Sequence, residues 1–370
     1  MIAEFPDFLK KYLPQGRINS ETLQSFDISG RTFYRLTKDL SGLPRGTVFW
    51  DSGILHGYQK IRRIIHLEQG IRRYFRGPFY VEEKMDGYNV RVRRIGDEVF
   101  AFTRGGFICP FTTDRLPDLL PPGFFDDCPD HTLCGEVVGP ENPYNSETVP
   151  YMKEDIAFFA FDIKDPGGKS ISLGERYRIY EKKALPFVRH WGPFTNSDSD
   201  IEEIKTIVFE LDREDREGIV IKSVAEGEEV KYVTLSSCIR DIHSTSHLMT
   251  ELPAGFYIQR LIRIAAITYE HSLTLDDTAR LSIADALIEP LGDTVSRVAS
   301  GESIKEFFTV RVNRKETMDA LMLHLGRAGV SLHLVSIERA GTRYRCVFYR
   351  TFPKGTKDLR RKLRGHAFYD

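Results

Sequence analysis

The chain has 370 residues, 41% hydrophobic and 28% charged, with a formal net charge of −1. That length exceeds one ordinary core and implies two to four domains, while no apolar run approaches the length that spans a bilayer, which excludes a membrane-embedded protein. The N-terminal MIAEFPDFLKKYL lacks the long apolar run of a secretory signal, so a cytoplasmic protein is expected. The five cysteines contain no CxxC pair, which argues against a zinc knuckle or a disulfide framework.

Residues 1–76 read as an N-terminal accessory domain. The strand-like RTFYRL and GTVFW are separated by the turn SGLPRG, and a basic, helical segment from Gly57 to Arg76 carries six Lys or Arg against one Glu. Residues 77–235 change to short β-rich runs, FYVEEK, NVRVRR, EVFAFTR, TLCGEVV, IAFFAFDI, GIVIKSV and EEVKYVT. Helical stretches stand at LGERYRIYEKKAL and SDIEEIKTIVFELDR. This is an α+β core with largely antiparallel sheets.

Residues 236–300 read as helical, and their apolar stripe (Phe256, Ile258, Leu261, Ile262, Ala265, Ile267) is wider than one neighbouring domain needs, so a homodimer is expected there. Residues 301–370 form a basic C-terminal α/β module: FFTVRV, a helix KETMDALMLHLGRAG, a hairpin and the basic helix TKDLRRKLRG. Its segment Arg339–Arg364 carries ten Lys or Arg against one acid and is read either as a solvated face or as an RNA-backbone surface.

Within the core, VEEKMDGYNVRV places Lys84 among apolar residues, where a strand alone favours valine or threonine. Lys84, Asp86 and Gly87 make K-x-D-G, too short a motif to decide anything by itself. Downstream follow FTRGG with Arg104, CGEVVG with Glu136, FFAFDI with Phe161, REGIVIK with Glu217 and Lys222, and EEVKYVT with Lys231. His243 and His247 have the i, i+4 spacing of a helical metal pair, but no other ligand type supports zinc.

In that order the elements resemble the motif series of the covalent nucleotidyltransferases, the superfamily of ATP-dependent polynucleotide ligases and messenger RNA capping enzymes. Asn89 stands where DNA ligases and capping enzymes carry an arginine, and a helical region replaces their OB domain. Both features point to RNA ligases, and HGYQKIRRI ahead of the core, the KYVT ending of the core and the helical plus α/β tail are similar to the archaeal, homodimeric, RNA-circularising family of ATP-dependent RNA ligases. The resemblance implies ATP and Mg²⁺ as cofactors, and single-stranded RNA with 5′-phosphate and 3′-hydroxyl ends as partner. A DNA ligase or capping-type enzyme, and a non-catalytic ATP-sensing RNA-binding protein, are the competing readings.

An ordinary lysine is protonated at pH 7, so a nucleophilic Lys84 is expected to have its pKa lowered by burial and by the neighbouring Lys222 and Lys231. The resemblance places Glu82 near the adenine amino group and Asp86 and Gly87 beside the ribose or RNA end; a plain Asp-Gly turn is the alternative for the latter pair. Phe161 is placed against the adenine face. Arg104 and Glu136 hold the ribose and RNA terminus, or are surface charges. Glu217 is the implied metal ligand. Lys222 and Lys231 are the implied phosphate contacts, with Lys231 filling either the first or the second lysine role of the last motif.

Overall fold

The computed structural model describes residues 6–367 apart from residues 15–17, 148, 226 and 328; residues 1–5 of the N-terminal segment lie outside them. A short 3₁₀ turn, Asp7–Lys11, leads into an antiparallel meander of β1 (Leu23–Ile28), β2 (Arg31–Leu36), β3 (Val48–Trp50) and β4 (Gly53–Leu55). Alternating apolar side chains such as Phe26 and Phe33 give this sheet one dry face, which packs against Ile95, Phe100, Phe102 and Ile108 of the core.

The core begins earlier than the sequence indicates. β5 (Arg62–Arg63) leaves the basic segment and joins the core sheet, leaving only α1 (Leu67–Tyr74) helical. Then come β6 (Phe79–Lys84), β7 (Tyr88–Ile95), β8 (Glu98–Thr103), α2 (Pro110–Leu119), α3 (Phe124–Asp127), β9 (Thr132–Val138), β10 (Ala157–Lys164), α4 (Leu173–Lys182), β11 (His190–Phe194), α5 (Asp198–Arg213), β12 (Gly218–Ser223) and β13 (Glu229–Val233). They make two sheets, ordered β10-β9-β7-β8 and β11-β6-β12-β13-β5, antiparallel except for the β13–β5 pair. The α+β expectation holds.

After Val233 the chain turns helical: α6 (Leu235–Ser246), α7 (Ala254–Glu270) and α8 (Asp277–Ala299). Ile242, Ile264 and Ile267 from this region share a core with α1, α5 and the five-stranded sheet. The last module has β14 (Lys305–Val312), α9 (Glu316–Gly326), β15 (Ser331–Ala340), β16 (Arg343–Thr351) and α10 (Pro353–Leu363). Its Phe308, Val310, Met318 and Phe348 continue the core of the four-stranded sheet β10-β9-β7-β8. The modules therefore share apolar interiors, each fully buried side chain contributing about 1.5–3 kcal/mol across those boundaries. Among the described residues no helix is long and apolar enough to cross a membrane.

Candidate active site

Strand register brings the motif residues together. Glu82 lies opposite Val220, which lies opposite Lys231, and Lys84 lies opposite Gly218. Paired residues and their i+2 neighbours share one face of a sheet, so Glu82, Lys84, Val220, Lys222 and Lys231 present one surface. The facing sheet supplies Asn89 opposite Glu136, with Phe161 at a register shift of β10. Between the sheets is a cavity of about 490 Å³ lined by Glu82, Lys84, Gly87, Asn89, Arg104, Glu136, Phe161, Lys222 and Lys231, and also by Tyr58. Asp86 and Glu217 do not line it, but Glu217 is paired with Lys84, which does.

Gly87 is required by close approach: a Cβ there would sit 2.2 Å from the Val137 carbonyl oxygen. Gly218, at φ +144°, is similarly tied to Tyr232, whose carbonyl oxygen would lie 2.2 Å from a Cβ. Gly87 lets the turn after Lys84 close on β9, and Gly218 lets β12 close on β13, which carries Lys231.

The electrostatics correct one expectation. Lys84 is ion-paired with Glu217. Burial pulls its amine down, but Glu217, Glu136 and Asp86 outweigh burial and hold it above the ordinary lysine value. The depressed lysine is Lys231, pushed down to about 8 by burial, Lys84 and Arg63. Glu136 is pushed up to about 8 by burial, with Glu217 and Asp86 adding to the rise. The pocket around Lys84 thus has an excess of carboxylate, the opposite of the cationic surroundings expected.

Lys222 does not neighbour the nucleophile's charge as anticipated. Its amine lies 2.6 Å from Glu82 Oε2 and donates to the Phe161 carbonyl at 2.9 Å. Glu82 Oε1 accepts from Tyr177 Oη at 2.8 Å and is paired with Arg176. Arg176 also reaches Asp162 at 3.1 Å. Burial alone would raise Glu82, but Arg176 and Lys222 hold it below the usual carboxylate range. Oε1 thus has two partners and Oε2 one, so this carboxylate belongs to the cavity's buried frame while it also lines the cavity with acceptor capacity left for a ligand.

Asp86 is held from the helical region, 2.8 Å from Arg240, which also pairs with Glu147 at 3.0 Å. Among the described residues Asn89 Oδ1 is buried without a partner and Arg104 donates only to the Gln59 carbonyl at 3.0 Å, so both have capacity for a ligand. Tyr58 stands edge-on to Phe161, ring centroids 5.4 Å apart. Arg176, Tyr177, Tyr58 and Arg240 were missed in the sequence. For Arg176 the available signal was its place beside Tyr177 and Tyr180 on the apolar side of a helix, where an arginine needs buried partners.

Among the described residues no group of three His, Cys, Asp or Glu side chains forms a preformed metal cage. The donor set still fits Mg²⁺, which is typically held by one or two carboxylates together with substrate phosphates. Glu217 and Glu136 are such hard oxygen donors, with burial first and then Glu217 and Asp86 holding Glu136 up at about 8.

A buried lysine at the end of a strand, facing a cavity between two largely antiparallel sheets, is the arrangement of a covalent nucleotidyltransferase. Comparison with known proteins narrows this. The RNA ligase family profile matches residues 77–233, and the profile of the ligase Pab1020 C-terminal region matches residues 244–366. An archaeal ATP-dependent RNA ligase structure is similar over 94% of both chains, with 29% identity and a TM-score of 0.87. An Aquifex aeolicus structure, provisionally described as an ATP-dependent DNA ligase, shares 36% identity over 95% of this chain and 97% of its own, with a TM-score of 0.90. An uncharacterized protein of Methanocaldococcus jannaschii is 31% identical over 82% of this chain and 80% of its own length. The chain belongs to the ATP-dependent RNA ligase family.

Proposed function

We propose that this protein joins 5′-phosphate to 3′-hydroxyl ends of single-stranded RNA, circularising it, through a lysyl-AMP and an adenylylated-RNA intermediate. The observation that carries this reading is Lys84 at the wall of a nucleotide-sized cavity, with eight of the other sequence-identified site residues on the same wall. Lys84 Nζ attacks the α-phosphorus of ATP, a P–N bond forms and pyrophosphate leaves. The RNA 5′-phosphate then attacks that phosphorus, the P–N bond breaks and the amine regains its proton. Finally the 3′-hydroxyl attacks the RNA 5′-phosphorus and AMP departs.

In this scheme Phe161 offers an aromatic face to adenine, Asn89, Arg104 and Glu136 meet the ribose or the RNA end, and Lys231 stabilises phosphate charge. Its depressed pKa makes Lys231 partly neutral in the free protein, and arriving phosphates restore its proton. A divalent cation held by Glu217 and the triphosphate would supply charge that neutralises the phosphates and releases Lys84 from its ion pair. Intact mass after incubation with ATP should rise by one AMP located on Lys84; an adduct formed with GTP instead would favour a capping enzyme. Parallel sealing assays on RNA and DNA address the DNA-ligase reading, which the Aquifex relative raises.

Because Lys84 is an ammonium in the free protein, kcat/KM for adenylylation should climb as pH rises above neutrality. Glu217→Gln removes the largest contribution holding that proton, so the alkaline limb should move to lower pH even though the overall rate falls. A limb that stays in place would show that another group sets it.

The homodimer is proposed through α7 and α8. Ile264 and Ile267 face inward, whereas Ile258, Ile262 and Tyr269 of α7 and Ile288 of α8 are exposed, Tyr269 at 80% and Ile288 at 65%. Light scattering should give twice the chain mass, and Ile262→Asp together with Ile288→Asp should reduce it to one; a wild-type monomer at micromolar concentration counts against the interface.

A further inference from the structure

A second cleft, larger than the nucleotide cavity at about 1210 Å³, lies between the N-terminal sheet, the core and the C-terminal module. The two share Thr103 and Tyr144 in their walls, so the cleft opens next to the place where AMP is carried. Its charge is lopsided. Arg35, Arg45 and Arg327 line it, each without a carboxylate in ion-pair range among the described residues, against the single exposed acid Asp27; a further arginine there, Arg350, is already paired with Glu306.

Arg35 is only 9% exposed, yet its guanidinium donates to a carbonyl, that of Gly105 at 2.8 Å, and to the neutral Gln24 side chain at 2.6 Å. Its Nε is buried with no hydrogen-bond partner among the described residues. Burial first, and then the charges of Arg45 and Arg327, push it down to about 10. Phe107 is flanked by Arg35 at 3.8 Å and Arg327 at 5.7 Å, which fixes two of the guanidiniums around one ring. Uncompensated arginines held in place beside a nucleotide site are arranged for phosphate groups.

Some cations of the basic C-terminal segment are engaged within the chain. Arg343 pairs with Asp118 and Asp155, Arg350 with Glu306, and Arg360 donates to the Gly301 and Glu302 carbonyls. We infer that the Arg35–Arg45–Arg327 cleft holds the backbone phosphates of the single-stranded RNA whose end enters the nucleotide cavity. This rests on the reading of the protein as an RNA ligase.

Arg45 and Arg327 are exposed and suit mutation, whereas Arg35 is part of the packing. The double variant Arg45→Ala/Arg327→Ala should bind 5′-phosphorylated single-stranded RNA roughly tenfold more weakly near physiological salt, and the slope of log affinity against log salt should shrink by about 1.4, the value for two lost single-strand phosphate contacts. Arg45→Lys/Arg327→Lys should keep most of the slope. Thermal midpoints check that both variants fold. If wild-type protein binds and seals RNA while the alanine variant matches it in affinity and slope, the cleft proposal is overturned and the ligase reading stands. If wild-type protein forms no lysyl-AMP, the ligase reading fails, while a salt-slope change in the variant would still identify the cleft as an RNA-phosphate site. Loss of single-stranded DNA binding with RNA binding intact would assign the cleft to DNA and overturn the proposal.

Discussion

Lys84→Ala should abolish both lysyl-AMP formation and ATP-dependent joining, a loss limited only by the detection floor, because in the proposed scheme the Lys84 amine nitrogen carries AMP. Lys231 and Lys222 line the same cavity but cannot replace it. Lys222 is committed to Glu82 and the Phe161 carbonyl, and Lys231 is two strands away across the sheet. The last step uses no lysine nucleophile, so pre-adenylylated RNA supplied with Mg²⁺ should still be sealed by the variant, more slowly because a cation near the departing AMP is gone. Sealing is read from the conversion of linear to circular RNA, and adduct formation from intact mass. An AMP adduct at a defined site in the variant would remove Lys84 from its role.

The motif order, and with it the family, was legible because each element is a short strand whose side-chain period fixes which residues face the cavity. FYVEEK, GIVIKSV and EEVKYVT appear as β6, β12 and β13, and their register produces the shared face. The pairing of charges was not legible. Lys84 and Glu217 are separated by 133 positions, and whether a lysine finds carboxylates or other lysines beside it depends on the approach of two strands that sequence spacing does not encode. The direction of the Lys84 pKa shift came out reversed for that reason.

Local propensity also concealed β5. Arg62 and Arg63 precede a true helix, α1, and read as its continuation, but they pair in parallel with Val230 and Lys231. That tertiary contact sets Arg63 among the groups that lower Lys231, so part of the accessory segment helps tune the site. β11, HWGPF, was missed because glycine and proline inside a run demote a strand; it lies at the sheet edge, where a missing amide is tolerated.

Arg176→Ala is the substitution expected to cost most stability. In the native protein this buried guanidinium bridges Glu82 and Asp162, both about 1% exposed, and Lys222 is the other cation on Glu82. Removing one member of a buried ion-pair network leaves a desolvated charge uncompensated, which costs about 3–5 kcal/mol. The pH dependence separates this from loss of packing alone. Glu82 and Asp162 are both held below their ordinary values, so they stabilise the native protein at neutral pH, and that contribution is lost as pH falls through their folded pKa values. Without Arg176, burial should raise Glu82 instead, and acidification would relieve the variant by neutralising it. The difference in thermal midpoint between wild type and Arg176→Ala should therefore narrow on moving from pH 7 toward pH 4.5. A constant difference across that range would mean that Arg176 acts through packing and that Lys222 alone keeps Glu82 ionised.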